Sequence, residues 1–152
     1  MKNEFDNGKE DGFFTRAQLF YRIYGNAVAN REKRYLSPSS KRTVAEAEEY
    51  IETHFRDRDL TVRKLADRCG VSESYFRRMF RNFFGTSPNR KIALVRLSLA
   101  RRMMGDRPEL SLSGIAEECG FCSVQYMTEL FRREYGISPG KYRRERKRKT
   151  EQ

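Results

Sequence analysis

Two short stretches of this chain carry side chains with the chemistry to read the edge of a base pair. Ser74, Arg77, Arg78 and Arg81 recur at i, i+3, i+4 and i+7, and Gln125, Thr128, Glu129 and Arg132 repeat that spacing. On a helix, such spacing gathers each set on one face. Arg can donate two parallel bonds to guanine O6 and N7, and Gln pairs bidentately with adenine. Glu accepts from cytosine N4, and Ser or Thr hydroxyls take either partner. For one stretch alone, an ordinary solvated face of a small helical bundle would be the better explanation.

The opposite sides of the same stretches are apolar. Phe76, Met79, Phe80 and Phe83 form one stripe, and Met127, Leu130, Phe131 and Tyr135 form the other. Both stretches lie in an internal repeat. Leu60 to Pro88 reads LTVRKLADRCGVSESYFRRMFRNFFGTSP, and Leu110 to Pro139 reads LSLSGIAEECGFCSVQYMTELFRREYGISP. The second copy carries one extra residue near Ser123, so the offset between the copies changes from 50 to 51 there. Leu60/Leu110, Ala66/Ala116, Cys69/Cys119, Gly70/Gly120, Tyr75/Tyr126, Gly85/Gly136 and Pro88/Pro139 all coincide, glycines and prolines included.

Each copy opens with a short helix whose buried face is Leu65 and Ala66, or Ile115 and Ala116. Thr61 and Ser113 are its expected N-caps. Gly70 or Gly120 then supplies a sharp turn through positive φ. Ser72 or Ser123 caps the second helix, and Ser123 is also counted among the DNA-facing candidates. A helix, a tight turn with Gly and a second helix make a helix-turn-helix unit.

Ser87-Pro88, a cap followed by proline at the first helical position, starts the join between the copies. Ile92, Val95, Leu99 and Met103 continue it to a stop at Gly105-Asp106-Arg107-Pro108, a helix of about 88–104. Its length is roughly 26 Å at about 1.5 Å per residue. Two helices entering successive major-groove turns must stand about 34 Å apart, so a rigid spacer of this order suits them. Arg96, Arg101 and Arg102 are expected to be mostly solvated, and Met103 and Met104 to be core.

The rest of the chain is consistent with this plan. It has 152 residues, 38% hydrophobic and 12% aromatic, with a net charge of +11. Residues 41–152 hold 25 bases and 16 acids, and Lys141–Lys149 alone holds seven bases and one acid. A basic balance of this kind points first to a polyanion. No stretch of about 18 apolar residues exists to span a membrane, and residues 1–12 lack the apolar segment of a secretory signal. Three Cys is an odd number, which argues for reduced thiols in a cytoplasm rather than a disulfide framework.

Cys119-x-x-Cys122 could suggest zinc, but only Cys69 and His54 remain as further ligands. Cys119 also shares a repeat slot with Cys69, so packing is the expected role. His54 reads as the polar end of a helix. No set of residues suits catalysis, and neither a cofactor nor a metal is expected. No strand pattern is present. Residues 13–34 have helical spacing, Leu36–Ser40 reads as a linker, and Thr43 with Glu46 reads as a capping box opening the next helix. Residues 147–152 are expected to form a basic tail.

From about Thr43 to Arg144 the sequence resembles the DNA-binding domain of AraC/XylS transcription regulators. The motifs that carry the resemblance are LADRCGVSESYFRRMFRNFFGTSP, VRLSLARRMM and IAEECGFCSVQYMTELFRREYGISPGKYR. It implies an all-α, homeodomain-like fold of seven helices, in which two helix-turn-helix subdomains are joined by a long linker helix. The domain would span 41–146, with units at about 62–84 and 112–135, behind a short N-terminal helical extension over 1–40. The resemblance also implies a bacterial, cytoplasmic activator bound to double-stranded promoter DNA, with RNA polymerase as a further partner.

Base-reading positions carry over to Ser74, Arg77 and Arg78, and to Gln125, Thr128 and Glu129. Many relatives have a basic or small residue where this chain has Glu129, which repels phosphate. Longer family members carry a ligand-sensing domain ahead of this one. Residues 13–36 look like the closing helix and linker of such a sensor, so control by a small-molecule effector is not expected. The chain then reads as a stand-alone activator set by its abundance or as a truncated longer one. The competing class is a basic helical protein that binds RNA or an anionic surface without reading sequence.

Overall fold

The computed structural model describes residues 37–150. The expected helix over 13–34 lies outside them. The described residues form seven helices and no strands: α1 (Pro38–His54), α2 (Val62–Arg68), α3 (Glu73–Phe84), α4 (Pro88–Asp106), α5 (Leu112–Glu118), α6 (Val124–Tyr135) and α7 (Pro139–Thr150).

The helices build two cores. Val44, Ala47 and Ile51 of α1 pack with Leu65 and Ala66 of α2 and with Phe76, Met79 and Phe80 of α3. Ile115 and Ala116 of α5 pack with Met127, Leu130 and Phe131 of α6 in the second. Ala66 and Ala116, four positions before their turn glycines, are both buried, and their small side chains let each helix pair close. Helix α4 belongs to both cores. Ile92 lies in the first, and Ala93, Leu97, Leu99, Ala100, Met103 and Met104 lie in the second. Its 19 residues span roughly 28 Å at about 1.5 Å each. Two ion pairs at its start point to opposite halves, Lys91 Nζ to Glu48 of α1 at 2.5 Å and Arg90 Nη2 to Glu134 of α6 at 2.6 Å.

Several element ends differ from expectation. Helix α1 starts at Pro38 under an N-cap from Ser37, whose Oγ accepts from the Ser40 amide at 3.2 Å. Ser37–Ser40, expected in a linker, are therefore the cap and first turn of this helix, and the 40/41 boundary falls inside it. Thr43 donates instead to the Ser39 carbonyl, and Glu46 pairs with Arg42. Ser37-Pro38 is the same cap-plus-proline signal as Ser87-Pro88.

Helix α4 runs two residues past 104 and includes Gly105, where a Cβ would stand 3.0 Å from Arg146 Nη2 of α7. The absent side chain leaves room for the Arg146 guanidinium. Residues 147–150, expected in a tail, continue α7.

The N-cap of α5 is Ser111, not Ser113: its Oγ accepts from the Gly114 amide at 3.0 Å. Ser111 is the repeat counterpart of Thr61, which caps α2 in the same way. Losing an N-cap hydroxyl costs about 1 kcal/mol. Ser111→Ala is therefore expected to lower stability by about 1 kcal/mol in urea unfolding, and Ser113→Ala by much less.

Candidate nucleic-acid interface

Helices α3 and α6 are built to one specification. Each has 12 residues and begins at a serine whose Oγ accepts a backbone amide, Ser72 from Tyr75 at 3.3 Å and Ser123 from Tyr126 at 3.1 Å. Each ends at a left-handed glycine, Gly85 (φ 69°) or Gly136 (φ 73°), whose N–H returns to the carbonyl of Arg81 or Arg132. Phe76, Met79 and Phe80 on one helix, and Met127, Leu130 and Phe131 on the other, are buried, and this fixes which face turns outward.

On α3 the outward face carries Ser74, Arg78 and Arg81, all exposed. The Arg78 guanidinium lies over the Tyr75 ring, 5.2 Å from its centroid. Arg77 is half-buried and held by Glu73, with its Nη2 at 2.6 Å and its Nε at 2.9 Å from Glu73 Oε1. A solvent-accessible ion pair of this kind contributes at most about 1 kcal/mol, so a base edge can displace it. On α6, Gln125, Glu129 and Arg132 are exposed, Thr128 is half-buried, and Ser123 is half-buried with its oxygen engaged in the cap.

Two aromatic residues were not among the expected site residues. Tyr75 is 38% exposed and Tyr126 is 45% exposed, and they are the large hydrophobic side chains left open to solvent among the described residues. Each is the third residue of its helix. Their coincidence in the repeat, outside either apolar stripe, was the available signal.

The arginines of α4 are not mostly solvated. Arg96 Nε donates to the Phe55 carbonyl at 2.6 Å and its Nη2 donates to the Asp57 carbonyl at 2.8 Å. The guanidinium of Arg101 lies between Tyr135 and Tyr142, 5.6 and 5.8 Å from their centroids. Of the three, Arg102 is exposed.

Cys119 is fully buried, with its thiol 3.7 Å from Met103 Sδ. Burial pushes its pKa up to about 12, so it is a packing thiol with no thiolate at neutral pH. Cys122 is exposed. His54 ends α1 and stacks on Tyr50 at 3.9 Å. Among the described residues no group of three or more His, Cys, Asp or Glu is placed to hold a metal, and no helix is long and apolar enough to cross a membrane.

A family model described as a helix-turn-helix domain matches residues 65–145, more than half of the chain. Over 93 residues the chain is 33% identical to the probable transcriptional regulator LumQ of Photobacterium leiognathi, covering 61% of this chain and 37% of that protein. Over 83 residues it is 37% identical to the RCS-specific HTH-type transcriptional activator RclR of Escherichia coli K12, covering 55% of this chain and 29% of RclR. The chain thus spans well under half the length of these curated relatives. Among solved structures, the DNA-binding domain of the global transcriptional factor AdpA in complex with a target DNA superposes with a TM-score of 0.65 at 29% identity. That match covers 72% of this chain and 96% of the AdpA domain.

Proposed function

The chain belongs to the AraC/XylS family of helix-turn-helix transcription regulators, a family of DNA-binding regulators and not of enzymes, and on that premise we propose that it reads double-stranded DNA sequence-specifically and activates transcription. Helices α3 and α6 enter successive major-groove segments on one side of the duplex. The observation that carries this reading is the duplication itself: two 12-residue helices with the same cap, the same left-handed stop and the same division into buried apolar and open polar faces.

In the first unit Arg78 pairs with guanine, Arg77 exchanges Glu73 for a base, and Ser74 takes either partner. In the second unit Gln125 pairs with adenine, Glu129 accepts from cytosine, and Thr128 supports them. Arg81 and Arg132, one turn further on, sit where a helix meets phosphate, and Ser123 lies at the helix N-terminus, where backbone amides favour an anion. Contact with RNA polymerase at a promoter follows from the activator reading, which the naming of RclR as an activator supports.

Selection of bound duplexes from a random library tests this. The expected result is an enriched motif of two boxes about one helical turn, or about 34 Å, apart. Equal retention of all sequences, with affinity that falls steeply with salt, would instead leave a purely electrostatic binder.

A further inference from the structure

Gly70 and Gly120 fill the same slot of the repeat, and both adopt positive φ, 66° and 81°. Their surroundings differ. A Cβ on Gly70 would meet nothing within 4 Å, whereas one on Gly120 would stand 2.6 Å from the Arg56 carbonyl oxygen and 2.9 Å from that of Phe55. Gly70 is exposed and Gly120 is buried. The cause is the 55–58 segment, which joins α1 to α2 in the first unit yet lies against the turn of the second.

Three further contacts hold that segment in place. The Phe55 ring packs against the second core. Arg96 donates from α4 to the carbonyls of Phe55 and Asp57. Arg58 Nη2 reaches Glu117 of α5 at 3.2 Å.

We propose that the 55–58 segment is a second strut between the two units, and that Gly120 and Arg96 are positioning residues that set the distance and angle between α3 and α6. A single rod fixes how far apart its ends are, but it lets each unit pivot where it is attached. A second line of contact, displaced from the rod, removes that pivot. The strut is well placed to act: the segment leads through α2 into α3, and the Gly120 turn leads directly into α6. No Cβ fits where the Gly120 backbone meets the Arg56 carbonyl, so only glycine permits this approach. The consequence for DNA rests on the two helices being its readers, but the strut itself does not.

The test is double electron–electron resonance on the full chain without DNA. Nitroxides are placed at Asn82→Cys and Arg133→Cys, exposed counterparts in the repeat, in a Cys69→Ser, Cys122→Ser background. The parent is expected to give one narrow distance distribution. Arg96→Ala and Gly120→Ala should broaden or shift it. Gly70→Ala, which strains φ in the same way but touches no strut, should leave it narrow.

Circular dichroism checks that each variant is folded, and if Gly120→Ala is not, Arg96→Ala, which alters no turn, decides alone. A broad parent distribution overturns the strut, as do folded Arg96→Ala and Gly120→Ala variants that match the parent. On the selected duplex, inserting two base pairs between the boxes should weaken the parent by at least about tenfold and Arg96→Ala by less, because a pivoting pair can follow the shifted groove. A chain that passes the resonance test but shows no sequence preference would overturn the DNA reading and leave the strut standing.

Discussion

Replacing Phe131 with alanine is expected to lower the unfolding free energy by about 3–5 kcal/mol, the cost of removing a fully buried aromatic ring and leaving a cavity. Phe131 has no exposed surface, and its ring lies 4.4 Å from that of Tyr135 and 5.6 Å from that of Tyr142. It therefore joins α6 to α7 as well as facing the α5 side of its core. Domains of this size have about 5–15 kcal/mol of total stability, so the loss is a large share of the whole. Urea unfolding followed by circular dichroism checks it. A loss below about 1 kcal/mol would mean that the second core is not packed around this ring. Phe80, the repeat counterpart, is equally buried and packs 4.6 Å from Phe84, so Phe80→Ala should fall in the same range.

The second large effect is on recognition. Arg78→Ala is expected to weaken binding to the selected duplex by about 1–3 kcal/mol and to relax preference at one base position. Arg78 is exposed on the outward face of α3, and its contact with the Tyr75 ring positions the guanidinium without burying it. Competition binding across single-base variants of the duplex gives the readout. A uniform loss at every sequence, with a shallower salt dependence, would place Arg78 on phosphate instead.

Much of the fold could be read from local signals. The coincidence of Gly70 with Gly120 and of Gly85 with Gly136 marked the turns. The apolar stripes of Phe76–Phe80 and Met127–Phe131 fixed the buried faces, and the caps Thr61, Ser72, Ser87 and Ser123 fixed four helix starts. Ser111 could have been read as well, since it aligns with Thr61. Ser37-Pro38 was masked by a second plausible start at Thr43 and Glu46, six residues on.

What sequence does not reveal is partners far along the chain. Arg96 bonds to carbonyls about forty residues earlier, and backbone carbonyls leave no mark in residue type. Arg101 differs little in type or spacing from Arg102, yet the first lies between two tyrosines and the second faces solvent. Likewise, nothing in the residue letters separates Gly70 from Gly120. The placement of Ser74, Arg77, Arg78, Gln125 and Glu129 away from the cores follows from the stripes. The grip of Glu73 on Arg77 does not, because an i,i+4 pair competes with other partners of similar energy.

Because α4 lends residues to both cores, the molecule cannot be halved. A fragment ending at Asp106 would keep the first unit but strip the cover from Leu97, Ala100, Met103 and Met104, baring an oily seam of the sort that drives clumping. The opposite fragment, starting after α4, would lose one wall of its own interior. The two readers thus share one helix between their interiors, and any engineered exchange of one reader must carry that helix with it.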